Sequence, residues 1–79
     1  MYYREIITIL KDIVVLDNVN ISIDTDLFEE GLMDSLATMN MFIRLEQIFG
    51  VSIDLAEIEI DDFATVRKIN DFVVSAKKK

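Results

Sequence analysis

The chain contains no cysteine, and that absence most narrows the folds open to it. At 79 residues it sits near the small end of what folds unaided. Neither a disulfide framework nor a thiolate-bound metal can help hold it together. An apolar core must do that alone. Apolar residues make up 52% of the chain, enough for a compact core but not for a core plus a deep substrate cavity. A single domain over residues 1–79 is expected. No segment approaches the roughly 20 apolar residues of a membrane span, and no signal-peptide pattern opens the chain. The expected address is cytoplasmic, without stable membrane insertion.

Apolar spacing then suggests the elements. From Tyr2 to Leu16, Ile6, Ile9, Leu10 and Ile13 fall on one helical stripe, although Ile13-Val14-Val15 would also suit a strand. Asp17 to Asp34 reads as a long connection rich in turn and cap residues, in which Val19, Ile21 and Ile23 alternate as a short strand would. Leu27, Phe28, Leu32 and Met33 would pack this connection onto the core. A second helix is expected from Asp34 or Ser35 to Phe49, stopped by Gly50. Thr38, Met41, Phe42, Leu45 and Phe49 form one apolar face of it, with Leu36, Met39 and Ile43 on a neighbouring edge. So much apolar circumference means burial on two sides or a contact surface on one of them. An extended segment is expected from Val51 to Leu55, and a short helical turn near Glu57–Asp61. A last helix begins at an N-cap, Thr65, and uses Val66, Ile69, Phe72, Val73 and Ala76. Lys77 to Lys79 complement its C-terminal dipole. The pattern favours a small all-α bundle over a mixed α/β domain with strands at Val19–Ile23 and Val51–Leu55.

The formal net charge is −7, and the stretch from Asp12 to Ile43 holds seven acids and no base. Such a surface repels nucleic-acid phosphates and attracts basic protein patches. Plain solubility is the competing explanation.

The missing residue types exclude most chemistry. Without histidine or cysteine there is no Ser-His-Asp or Cys-His scheme and no metal site built on those ligands. Asp24-x-Asp26 fails as a calcium loop, because Phe28 stands at the next ligand position and Gly31 is misplaced. No Gly-rich phosphate loop occurs. The chain is not expected to be an enzyme, and no catalytic residue or metal ligand is assigned. Ser35 could be a helix cap, as could Asp34. The same position would also hold a phosphodiester well, beside free N–H groups at the positive end of the second helix. Gly31 would let the connection present the serine outward.

Two stretches, Gly31-Leu32-Met33-Asp34-Ser35-Leu36 and Leu45-Glu46-Gln47-Ile48-Phe49-Gly50-Val51, together resemble the acyl and peptidyl carrier protein family. Asp61-Asp62-Phe63-Ala64-Thr65-Val66 and Ile69-Asn70-Asp71-Phe72-Val73 extend the likeness over essentially the whole chain. The resemblance implies a four-helix bundle with a long connection between helices 1 and 2 and a short third helix. It also implies that Ser35 receives 4′-phosphopantetheine from coenzyme A, through a separate phosphopantetheinyl transferase, with Asp34 assisting. The arm's thiol would carry acyl or aminoacyl groups as thioesters between adenylating or acyl-transfer enzymes. The family's partner surface would fall on Leu36, Met39, Asn40, Ile43, Glu46 and Gln47. On that basis the apolar edge becomes contact surface rather than core.

The second helix departs from the strongly acidic form typical of fatty acid synthase carriers, since only Glu46 is acidic between Ser35 and Phe49. The motifs resemble stand-alone carriers loaded by adenylating enzymes, D-alanyl carriers of teichoic acid modification among them. A discrete monomeric carrier is therefore expected. A D-alanyl or other aminoacyl carrier is one alternative, and an interaction module that keeps the fold without the arm is another.

Overall fold

The computed structural model describes residues 1–13 and 21–78. In it, Tyr3–Ile13 forms α1, with Ile6, Ile9 and Leu10 buried. The helix expected over Tyr2–Leu16 thus holds as far as Ile13, and its remainder lies outside the described residues, as does Val19 of the suggested strand.

α2 spans Ser35–Phe49. Asp34 is its N-cap, with a side-chain oxygen accepting the Ala37 N–H at 2.7 Å. Gly50 ends it in the left-handed region at φ 67°, donating its N–H to the Glu46 carbonyl. Thr38, Met41, Phe42, Leu45 and Phe49 are its buried residues. Those five are the face that spacing selects, because residues three and four apart share one side of a helix.

No strand occurs among the described residues, so the mixed α/β alternative is set aside. Ile21 and Ile23 pack against the core without forming a ladder. Val51 is buried in irregular backbone, and Leu55 to Glu57 form a turn in which Asp54 accepts the Ala56 and Glu57 N–H groups. The helical turn expected near Glu57–Asp61 instead lies later, as a 3-10 turn over Ile60–Phe63. Leu55 and Ile58 suggested the earlier position, but Leu55 is 51% exposed whereas Phe63 is fully buried and anchors the turn. A last helix, α3, runs over Val66–Lys77, capped by the Thr65 hydroxyl accepting from Lys68 N–H. The all-helical fold expected is present; among the described residues it comprises three α-helices, and a single 3-10 turn over Ile60–Phe63 stands where the short third helix was expected.

Phe63 is the hub of the core. Its ring meets Phe42 at 4.8 Å and Phe72 at 4.9 Å, both tilted well away from parallel. Asn70, buried on α3, accepts the Tyr2 N–H at 2.8 Å and so secures the entry to α1.

The described part of the connection between α1 and α2 is held down at both the backbone and the side-chain level. Leu27 N–H donates to the Ala64 carbonyl at 2.7 Å and Arg67 N–H to the Ile23 carbonyl at 3.0 Å. The Arg67 guanidinium grips both oxygens of Asp24, at 2.8 and 3.1 Å. Side-chain hydrogen bonding from Arg67 holds the Asp24 carboxyl below its usual range; slight desolvation opposes this and the Arg67 charge reinforces it. A carboxyl whose pKa is lower folded than unfolded adds stability above its unfolded value and loses it as pH falls through the folded one. We therefore expect the Asp24 titration midpoint, read by carboxyl NMR, to rise towards the ordinary value in Arg67→Gln. Equal midpoints in both proteins would mean that the clamp does not form in solution. Both groups are exposed, so the effect on overall stability is small.

Candidate functional site

The N-terminus of α2 is where the clamped connection meets the bundle. Asp26 builds the approach, its Oδ1 accepting the N–H groups of Phe28 and Glu29. Leu27 and Met33 are buried there, while Gly31, at φ 70°, turns the chain through the left-handed region that glycine enters without strain. Leu32 and Met33 both donate to the Leu27 carbonyl, closing a compact loop under Asp34.

Ser35 follows as the first residue of α2 and is exposed. The Asp34 carboxylate takes the Ala37 N–H and the Asp34 carbonyl takes the Thr38 N–H and hydroxyl. That leaves the N–H groups of Ser35 and Leu36, and the Ser35 hydroxyl, without a partner among the described residues. An unhindered hydroxyl beside two unsatisfied donors at a helix N-terminus suits a phosphate ester.

An apolar groove of about 580 Å³ opens from the same point. One side comes from the connection and α2, through Phe28, Met33, Thr38, Met39 and Phe42. The other comes from Leu55, Ile58 and Ile60, with Asp34 and Ser35 at one end. Its rim is open, with Met39, Leu55 and Ile60 exposed to 44%, 51% and 52%. It is a surface groove rather than a deep cavity.

Residues 4–73 match the family description of the phosphopantetheine attachment site. The chain belongs to that family. It is similar to the D-alanyl carrier proteins of Streptococcus pyogenes serotype M5 (strain Manfredo) and serotype M1, at 35% identity over 69 residues, 87% of this chain and 87% of each relative. This family member is a carrier protein, and its cofactor is covalently bound 4′-phosphopantetheine. The donor set at Ser35 fits that group: a free hydroxyl for the ester, two N–H groups for its phosphate oxygens, and an apolar groove alongside.

The carrier's remaining sequence-selected residues occupy the outer face of α2. Leu36 is 72% exposed and Ile43 49%, with Met39 between them and Asn40, Glu46 and Gln47 also exposed. Burial of this edge, one of the two options that spacing left, does not occur. Two features escaped the sequence reading. The groove wall at Ile58 and Ile60 had a faint signal, since these apolar residues alternate with Glu57, Glu59 and Asp61. The Asp24–Arg67 clamp had none, because the partners lie 43 positions apart. No helix among the described residues is long and apolar enough to cross a membrane.

Proposed function

We propose that Ser35 is the attachment point of the arm and that the carrier shuttles an aminoacyl group, D-alanine first among candidates, from an adenylating enzyme to an acceptor. The observation that supports this best is the isolated Ser35 hydroxyl at the capped start of α2, with the Ser35 and Leu36 N–H groups free beside it. When bound, the arm supplies a terminal thiol on which an acyl group travels as a thioester. The chain's own task is to anchor and present. Asp34 fixes the helix start and so the direction in which Ser35 points, and it is the residue placed to assist the transfer. Gly31 and the Asp26-capped loop hold that start rigidly against the core. No residue here acts as base or nucleophile on the cargo, and the reading is of a non-catalytic protein. Coenzyme A and adenylating enzymes are cytoplasmic resources, which favours that compartment.

The likeness to D-alanyl carrier proteins and the near absence of acid along α2 both favour an aminoacyl cargo over fatty acid synthesis. The test is to load the carrier with coenzyme A and a phosphopantetheinyl transferase, then offer D-alanine, ATP and a D-alanine-activating enzyme. A mass gain of one arm followed by one alanyl group is expected. Loading of the arm followed by charging only with fatty acyl groups would overturn the cargo assignment and leave the anchor standing.

Recognition is assigned to Leu36, Met39, Asn40, Ile43, Glu46 and Gln47. Exposed apolar side chains ringed by polar ones suit protein contact. Met39→Lys or Ile43→Lys should lower kcat/KM with the partner enzymes by about tenfold or more, as for a contact worth over 1 kcal/mol. Folding stability should change by less than about 0.5 kcal/mol, as surface substitutions do. Unfolding at lower denaturant as the main effect would return these residues to the core.

A further inference from the structure

Glu46 stands in the last turn of α2, near the negative end of the helix dipole. An isolated helix disfavours a carboxylate there. The structure gives it a different employment. Its Oε2 accepts the backbone N–H of Ile53 at 2.9 Å, and its carbonyl accepts the N–H of Gly50 at 3.0 Å. One residue thus holds both limbs of the reversal that carries the chain away from α2. Apolar packing fixes the next stretch in part, since Val51 is buried and Ile53 and Ile58 lie against the core, but its polar ties are few. Residues 51–59 contain no helix or strand, and among the described residues the Ile53 bond is the one hydrogen bond tying 51–58 to another element. That same stretch then supplies Leu55 and Ile58 to the groove beside Ser35, with Ile60 just beyond. Met39, which lines the opposite side, lies seven residues before Glu46 and so nearly two turns along the same face of α2.

We propose that Glu46 is a positioning residue whose carboxylate latches the 51–58 segment to α2 and so sets the outer wall of the groove next to Ser35. A charge-assisted bond to a backbone N–H is among the stronger hydrogen bonds a surface can make. Among the described residues it is the one hydrogen bond from its segment to another element. Opening it lets Leu55 and Ile58 move away from Met39 and Phe42, widening the groove without unfolding the helices. Oε2 is committed to this bond while the other carboxylate oxygen stays available to a partner, so latch and recognition surface coexist in one side chain. The consequence for cargo rests on the proposed role of Ser35; the latch itself does not, and it is tested on the isolated chain with no arm attached.

The experiment is amide hydrogen exchange and methyl NMR on Glu46→Ala and Glu46→Gln beside the unaltered protein. In Glu46→Ala the Ile53 amide should exchange about tenfold faster, as expected for losing a hydrogen bond to a charged group. The methyl resonances of Leu55, Ile58 and Ile60 should shift together. The amides of Ile69 and Val73 in α3 should keep their protection. Glu46→Gln should recover most of the Ile53 protection, because a carboxamide oxygen still accepts the bond. An unchanged Ile53 rate in Glu46→Ala would overturn the proposal, as would unmoved wall methyls or a Gln variant no better than Ala. Loss of partner turnover in Glu46→Ala with an unperturbed spectrum would make Glu46 a contact residue alone.

Discussion

Ser35→Ala will gain no mass from coenzyme A and a phosphopantetheinyl transferase, while the unaltered chain gains one arm, as intact-mass spectrometry will show. The effect is all or none, because the hydroxyl oxygen that would form the ester is gone. It is also free of structural side effects. Ser35 is exposed and its hydroxyl supports no other group, while the cap belongs to Asp34. Alanine is a good helix former at the first position, so stability should stay within about 0.5 kcal/mol. Asp34→Ala makes the instructive contrast. It leaves the hydroxyl but strips the Ala37 N–H of its acceptor, which costs about 0.5–2 kcal/mol and should slow modification without abolishing it. A full arm on Ser35→Ala would transfer the anchor to another exposed hydroxyl, such as Ser22, Ser52 or Ser75.

Phe63→Ala should bring the largest loss of stability of any single change considered. The ring is fully buried between Phe42 and Phe72 and belongs to the turn joining the groove wall to α3. Truncating a buried phenylalanine costs about 3–5 kcal/mol through lost transfer energy and the cavity left behind. A domain of 79 residues has roughly 4–12 kcal/mol at 0.05–0.15 kcal/mol per residue. Phe63→Ala should therefore lose from about a quarter of its stability to all of it, with a proportionate fall in the urea midpoint. Phe63→Leu keeps most of the volume and should cost far less. A shift of under 1 kcal/mol for Phe63→Ala would mean that the core can close over the site.

These two residues were legible to different degrees. The helix behind Ser35 could be located from pattern alone, because Gly31, Asp34 and Gly50 mark the turn, cap and stop by local backbone chemistry, whereas the role expected of Ser35 came from the resemblance to carrier proteins. The buried face of α2 was equally plain, since helical period dictates which side chains share a side. The choice between burial and exposure for Leu36, Met39 and Ile43 was not. Periodicity says that residues lie together, not whether another element covers them, and among the described residues none does.

The region after Gly50 was read least well. Val51, Ile53 and Leu55 alternate as a strand would, yet a strand needs a partner to take its backbone groups, and among the described residues there is none. A carboxylate from α2 takes the Ile53 N–H instead. The turn then settles at Ile60–Phe63 because a fully buried ring outweighs the weak helical spacing of Leu55 and Ile58.

The sequence by itself favoured a helical fold, marked where the second helix starts and stops, and required that any reactive sulfur come with a prosthetic group. Each of these depends on neighbours within a few positions or on the absence of a residue type. Only the tertiary structure decided that a groove lies beside Ser35, that Arg67 holds Asp24, and that Glu46 holds the groove's outer wall. Those contacts join residues that the chain brings together only after its core has closed, and side-chain type alone does not say which partner a charge or an apolar face will meet.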